Sequence, residues 1–208
     1  MDEFSFTFWA DTAGGISFAF WTGAIAVLAV SVALSIVSAR IRVPIIGALT
    51  AVPVVLGLVG AALGIDIFPP HPVFASIVAL ELFVLGVTAG SPLTLFVVEL
   101  TEKHSVRVGS HGGILPSSTE RSAIGTSEPV KEVLRGGATI GYLERIAVIG
   151  CLAVGRVEGI AVIVAIKGLG RFSELDSPEA RERFIIGTLV SLIFSCGAGA
   201  LIVLALAQ

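Results

Sequence analysis

Four ionisable side chains sit where the surrounding sequence is almost wholly apolar. Glu144 and Arg145 interrupt the run IGYLERIAVIG, Lys167 interrupts IAVIVAIKGLG, and Glu81 interrupts VFASIVALELFVLG. A charge at bilayer depth is costly, so such residues turn toward a bundle interior or a polar cavity and pair with one another. The two carboxylates and two cations cancel, as a shared buried network requires. Arg145 lies eleven residues before Arg156 and Lys167 eleven after it. If Arg156 marks a turn between two antiparallel helices, both cations lie about 16 Å from that turn, near the middle of a hydrocarbon core about 30 Å thick. Neighbouring positions on a helix diverge by about 100°, so Glu144 and Arg145 do not face each other. Glu144 is then expected to pair with Lys167, and Arg145 to seek Glu81. Such a network is either interhelical glue or a polar binding site or ion path. If the two segments form only a short hairpin, these residues instead lie near the headgroups and snorkel.

A second cluster, Lys167, Arg171, Arg181 and Arg183, flanks the ends of two apolar segments. Anchoring to anionic lipid explains it, and a sharper reading is a pocket for a phosphate-bearing lipid or ligand with Arg171 and Arg181 as forks. No Gly-rich phosphate motif follows a strand. His104 and His111 fall in a polar stretch without metal-binding spacing, and His71 sits among prolines. With no histidine in a span, the usual axial haem ligand is missing, so no metal or other cofactor is expected. Cys151 and Cys196 lie in apolar runs without a CxxC and read as small packing residues. No GxSxG, paired-carboxylate or Cys/His arrangement is visible at a credible location. Glu144 or Glu174 beside the arginines is the remaining candidate for a base.

The elements that position these residues follow from composition. The 208-residue chain is 55% hydrophobic and 14% charged, with net charge −3. Its mean hydropathy is +0.98. Soluble domains carry about 25% charged residues, and a chain this apolar reads as an all-α, polytopic membrane protein. Apolar segments are expected to cross at 17–39, 43–63 with Pro53 inside it, 73–100, 137–155, 160–169 and 184–206, six in all, the fifth of them short for a span. The third is expected to end or kink near Ser91–Pro92. The acidic start MDEFSFTFWAD lacks the basic region of a cleavable signal, so the first run is expected to be retained. Residues 1–100 and 138–208 thus form two three-span membrane regions. Between them 101–137, rich in Ser, Gly, Thr and charge, reads as a mobile cytoplasmic loop, with a helix start signal at Ser127. Ser177 and Pro178 provide an N-cap and first helical position. Gly60/Gly64 and Gly137/Gly141 are spaced for close helix packing.

Lys and Arg occupy the first, third and fifth connectors, while the amino-terminal tail and the second connector have none and Arg156 is alone in the fourth. The positive-inside rule then makes the odd connectors cytoplasmic and puts both termini outside. Basic residues distributed in this way report topology and exclude a nucleic-acid footprint. Membrane lipid and other membrane subunits are the expected partners.

At GYLER (141–145), KGLGRFSEL (167–175) and FIIGTLVS (184–191), the chain resembles a family of uncharacterised bacterial polytopic membrane proteins, over roughly residues 137–196. Members carry IGxLER, then a lysine followed by RFxEL, then a span with IGTxxS. This chain has Gly168 where the family often has Ser, and Asp176–Ser177–Pro178 departs from the usual link. The resemblance implies that Glu144, Arg145, Lys167, Arg171, Phe172 and Glu174 belong to the family signature, in a bacterial cytoplasmic membrane. It supplies a region of interest and no mechanism.

Three functions compete. An accessory or scaffold subunit of a larger assembly, respiratory or envelope-building, fits the small size and the long polar loop. A transporter or channel would use the buried charges, but no repeat, clear broken helix or second polar face supports it. A lipid-modifying enzyme ranks last. More generally, enzyme chemistry is not the expectation.

Overall fold

The computed structural model describes residues 3–41, 43–65, 69, 71–101, 107–108, 114–115, 137–171, 175 and 177–207. Helix α1 spans Glu3–Ile41, and its side chains are described from Phe18 onward. It is followed by α2 (Pro44–Leu49), α3 (Val52–Ala62), α4 (Pro72–Thr88), α5 (Gly90–Thr101), α6 (Gly137–Ala153), α7 (Glu158–Gly170) and α8 (Pro178–Leu206). The described part of the long polar loop is a two-residue antiparallel ladder, β1 (Arg107–Val108) with β2 (Ile114–Leu115). Ser127 and the rest of that loop lie outside the described residues.

This is an all-α membrane architecture, turned outward as lipid demands. Large apolar side chains such as Leu80, Leu143, Ile166 and Ile193 are exposed, while Ser35, Ser38, Thr50 and Ser195 are buried. In hydrocarbon the apolar effect does not drive helices together, so small residues and hydroxyl contacts take over. Ser35 on α1 shares a hydrogen bond of 2.6 Å with Thr88 on α4. Helix α8 is the central element, packed against α3, α4, α5 and α6; α1 lies on α4 and α2, and α7 packs chiefly against α6.

Six spans were expected; among the described residues three helical stretches have the length and composition to cross a membrane: Phe18–Ile41, Pro44–Ala62 and Pro178–Leu206. A fourth follows if α4 and α5, bent by 45°, count as one span. The described part of α6 has 17 residues, at the lower end of a span's length, and α7 has 13, about 20 Å of rise against a core about 30 Å thick. A turn with Gly155 at φ 67° joins them into a hairpin.

Two prolines account for the interruptions. Pro53 lacks an N–H and crowds the carbonyl four residues back, and the chain between α2 and α3 tightens to i−3 bonds, Thr50 N–H to Gly47 O and Ala51 N–H to Ala48 O, each 3.1 Å. Pro92 does the same to the ladder at Thr88, and α4 gives way to α5 at Ala89. The third span is therefore a broken helix, bent within a few residues of the Ser91–Pro92 position at which an end or kink was expected. Gly64, at φ 69°, terminates α3 rather than continuing a packing stripe with Gly60. Ser177 caps α8, its hydroxyl accepting from Ala180 N–H at 3.1 Å, with Pro178 in the first turn.

Candidate functional site

Arg145 is 3% exposed on α6. Its position follows from the break in the third span. Val87 lies in the last turn of α4, whose carbonyls have no donor further along their own helix. Arg145 supplies one: Nε donates to Val87 O at 2.7 Å. Nη2 donates to Ser91 Oγ on α5 at 2.9 Å, and Nη1 to Ser191 Oγ on α8 at 3.4 Å. The guanidinium also lies 5.0 Å from the Tyr142 ring centroid. One side chain of α6 thus holds α4, α5 and α8 around the bend. The space it occupies exists because residue 90 is glycine: a Cβ there would stand 2.5 Å from Arg145 Cδ.

Glu144 and Lys167 form an ion pair across the α6–α7 hairpin, with the two side chains 13% and 18% exposed. The near-symmetric placement of these residues about the Gly155 turn produces the match. Lys167 Nζ also lies 6.0 Å from the Phe184 ring centroid at the start of the apolar part of α8.

Glu81 does not join them, contrary to the expected pairing with Arg145. It precedes Val87 by six residues on α4, about 9 Å along the axis and on another face of the helix. Among the described residues its carboxylate has no ion pair, and its Oε2 is buried without a hydrogen-bond partner. Arg145 is satisfied instead by a carbonyl and two hydroxyls. The four-residue network therefore divides into an ion pair, a clamp and a separate carboxylate.

The basic cluster divides as well. Lys167 is held by Glu144. Arg181 Nε donates to Leu175 O at 2.9 Å and closes the link between α7 and α8. Arg171 ends α7 as its C-cap residue, and Arg183 lies in the second turn of α8. All three arginines are engaged in interactions. Phe172 and Glu174, like His104 and His111, lie outside the described residues. His71 caps α4, its Nδ1 accepting from Val73 N–H at 3.3 Å. Among the described residues no three His, Cys, Asp or Glu side chains gather as metal ligands.

Arg145, Glu144 and Lys167 line one cleft of about 250 Å³ together with Thr188, Ser191 and Ser195. The three hydroxyl residues are spaced i, i+3 and i+7 along α8, which places them on one helix face. Thr188 and Ser191 fall in the IGTxxS motif of the resemblance but were given no role, and Ser195 was missed, although the pattern TLVSLIFS within an apolar helix was a usable signal. Ser195 Oγ donates to Ser191 O at 2.8 Å. Thr188 Oγ1 is buried and has no hydrogen-bond partner among the described residues.

No family model, curated protein or solved structure matches the chain.

Proposed function

We propose that this protein is an accessory or scaffold subunit of a larger membrane assembly in a bacterial cytoplasmic membrane, with both termini outside and lipid around its remaining surface. The resemblance over 137–196 belongs to the same proposal. The observation that carries it is the state of α7. None of its 13 residues is buried, and it is docked chiefly on α6. A helix of about 20 Å cannot cross the core unaided, and its first turn, with exposed Glu158 after exposed Arg156, would be costly in hydrocarbon. A second protein chain seated on α7 relieves both problems. The position of Arg145 agrees with a structural role, because its hydrogen bonds go to the protein's own helices.

The test is affinity purification from the native membrane in mild detergent, with mass spectrometry of what accompanies the chain. Other subunits recovered in fixed stoichiometry are the expected result. Recovery alone, as monomer or homodimer, refutes the proposal and leaves local bilayer thinning to accommodate α7. That outcome would favour the second reading, a small transporter or channel. The broken α4–α5 span beside a buried arginine is the observation on its side, since discontinuous helices form the ion and substrate sites of many carriers.

A further inference from the structure

We infer that the cleft beside Arg145 is a binding site for a small monovalent anion of the size of chloride. A buried cation without a counter-charge is strongly unfavourable, more so in a bilayer than in a soluble core. Among the described residues Arg145 has no carboxylate partner. The nearest carboxylate along the chain, Glu144, is taken by Lys167. The cleft therefore holds two cations and one anion, an excess of one positive charge.

The donors are in place. A guanidinium carries five N–H bonds, and three of those on Arg145 are committed, to Val87, Ser91 and Ser191. One N–H on each terminal nitrogen remains. Thr188, 8% exposed, lines the same cleft with a hydroxyl that has no hydrogen-bond partner among the described residues. A buried hydroxyl with no partner is unusual, and here it stands on the wall of a cleft with surplus positive charge. One ligand that accepts from both Thr188 Oγ1 and the Arg145 guanidinium resolves both anomalies.

Size and lining select the class. The space beside these side chains admits about one water-sized occupant, so a chloride ion, somewhat larger than water, seats with a slight outward shift of the wall. Val148, Ile163, Val164 and Leu192 form the apolar remainder of the wall. Divalent oxyanions and phosphate esters are too large for that space and too strongly hydrated for those walls. A water molecule would satisfy the hydroxyl but leave the charge.

The experiment uses the full chain in phosphatidylcholine nanodiscs, which exclude anionic headgroups as the source. Thermal unfolding is followed in sodium chloride against sodium gluconate at constant ionic strength, with equilibrium binding of radiolabelled chloride to the same discs. The expected result is a saturable rise of the unfolding midpoint in chloride only, and one chloride per chain. Thr188→Val removes the hydroxyl at constant shape and is expected to raise the half-effect concentration about tenfold, the effect of one charge-assisted hydrogen bond. No chloride binding to the wild-type chain, or the same half-effect concentration in wild type and Thr188→Val, overturns the inference. If Thr188→Val does not fold, the direct binding measurement on the wild type decides alone.

Discussion

Gly90→Ala tests the clamp at its tightest point. The added methyl would lie 2.5 Å from Arg145 Cδ, 2.9 Å from Nε and 3.1 Å from Nη1. These atoms belong to a side chain fixed by three acceptors, so the guanidinium must leave at least the Val87 and Ser191 contacts to make room. Hydrogen bonds between membrane helices average about 0.6 kcal/mol and reach about 1.7, and overpacking adds about 1–3 kcal/mol. Alanine recovers about 1 kcal/mol of helix propensity. The net expectation is a loss of about 2 kcal/mol. In an Arg145→Ala background the obstruction is gone, and the same Gly90→Ala change should stabilise by up to about 1 kcal/mol. The coupling between the two sites is therefore about 3 kcal/mol, at the upper end for residues in contact. Reversible unfolding in mixed micelles, read by circular dichroism for all four proteins, measures it. A Gly90→Ala cost that is equal in both backgrounds would show that Arg145 does not fill the space beside residue 90.

The Glu144–Lys167 pair should respond to replacement of one partner more than of both. Glu144→Met and Lys167→Met each leave a charge stranded, and the double variant should recover at least half of the larger single loss in the same unfolding assay. At Gly47 a Cβ would stand 2.2 Å from Pro92 Cβ, against a rigid ring. Gly47→Ala should therefore cost about 1–3 kcal/mol, whereas Gly150→Ala, with nothing within 4 Å, should be neutral or stabilise by up to about 1 kcal/mol by thermal unfolding.

Features written in covalent or charge patterning were legible in the sequence. The apolar runs, the proline near the break of the third span and the Ser177–Pro178 start of α8 all express local rules about hydropathy, ring geometry and capping. The spacing of Glu144 and Lys167 about a turn gave their pairing for the same reason. Glu81 misled because charge balance ignores both position along a helix and rotation about its axis: it lies six residues from Val87 and on another face. The real acceptors of Arg145 are neutral. A freed carbonyl at Val87 and the hydroxyls of Ser91 and Ser191 leave no charge signature, and serine is common in membrane helices for other reasons. The span count is harder to read for a similar reason, since apolarity is shared by a helix that crosses a bilayer and one that stops short of it.

Among the described helices α8 is translated after every partner it packs against. Arg145 and Ser191 are separated by 46 residues, which at a synthesis rate of about 5–20 residues per second puts several seconds between their emergence from the ribosome. Through that interval the guanidinium can reach Val87 and Ser91, but the hydroxyl face of α8 that completes its cleft does not yet exist. A nascent chain halted there has two of the three acceptors of the guanidinium, and the third comes only with α8.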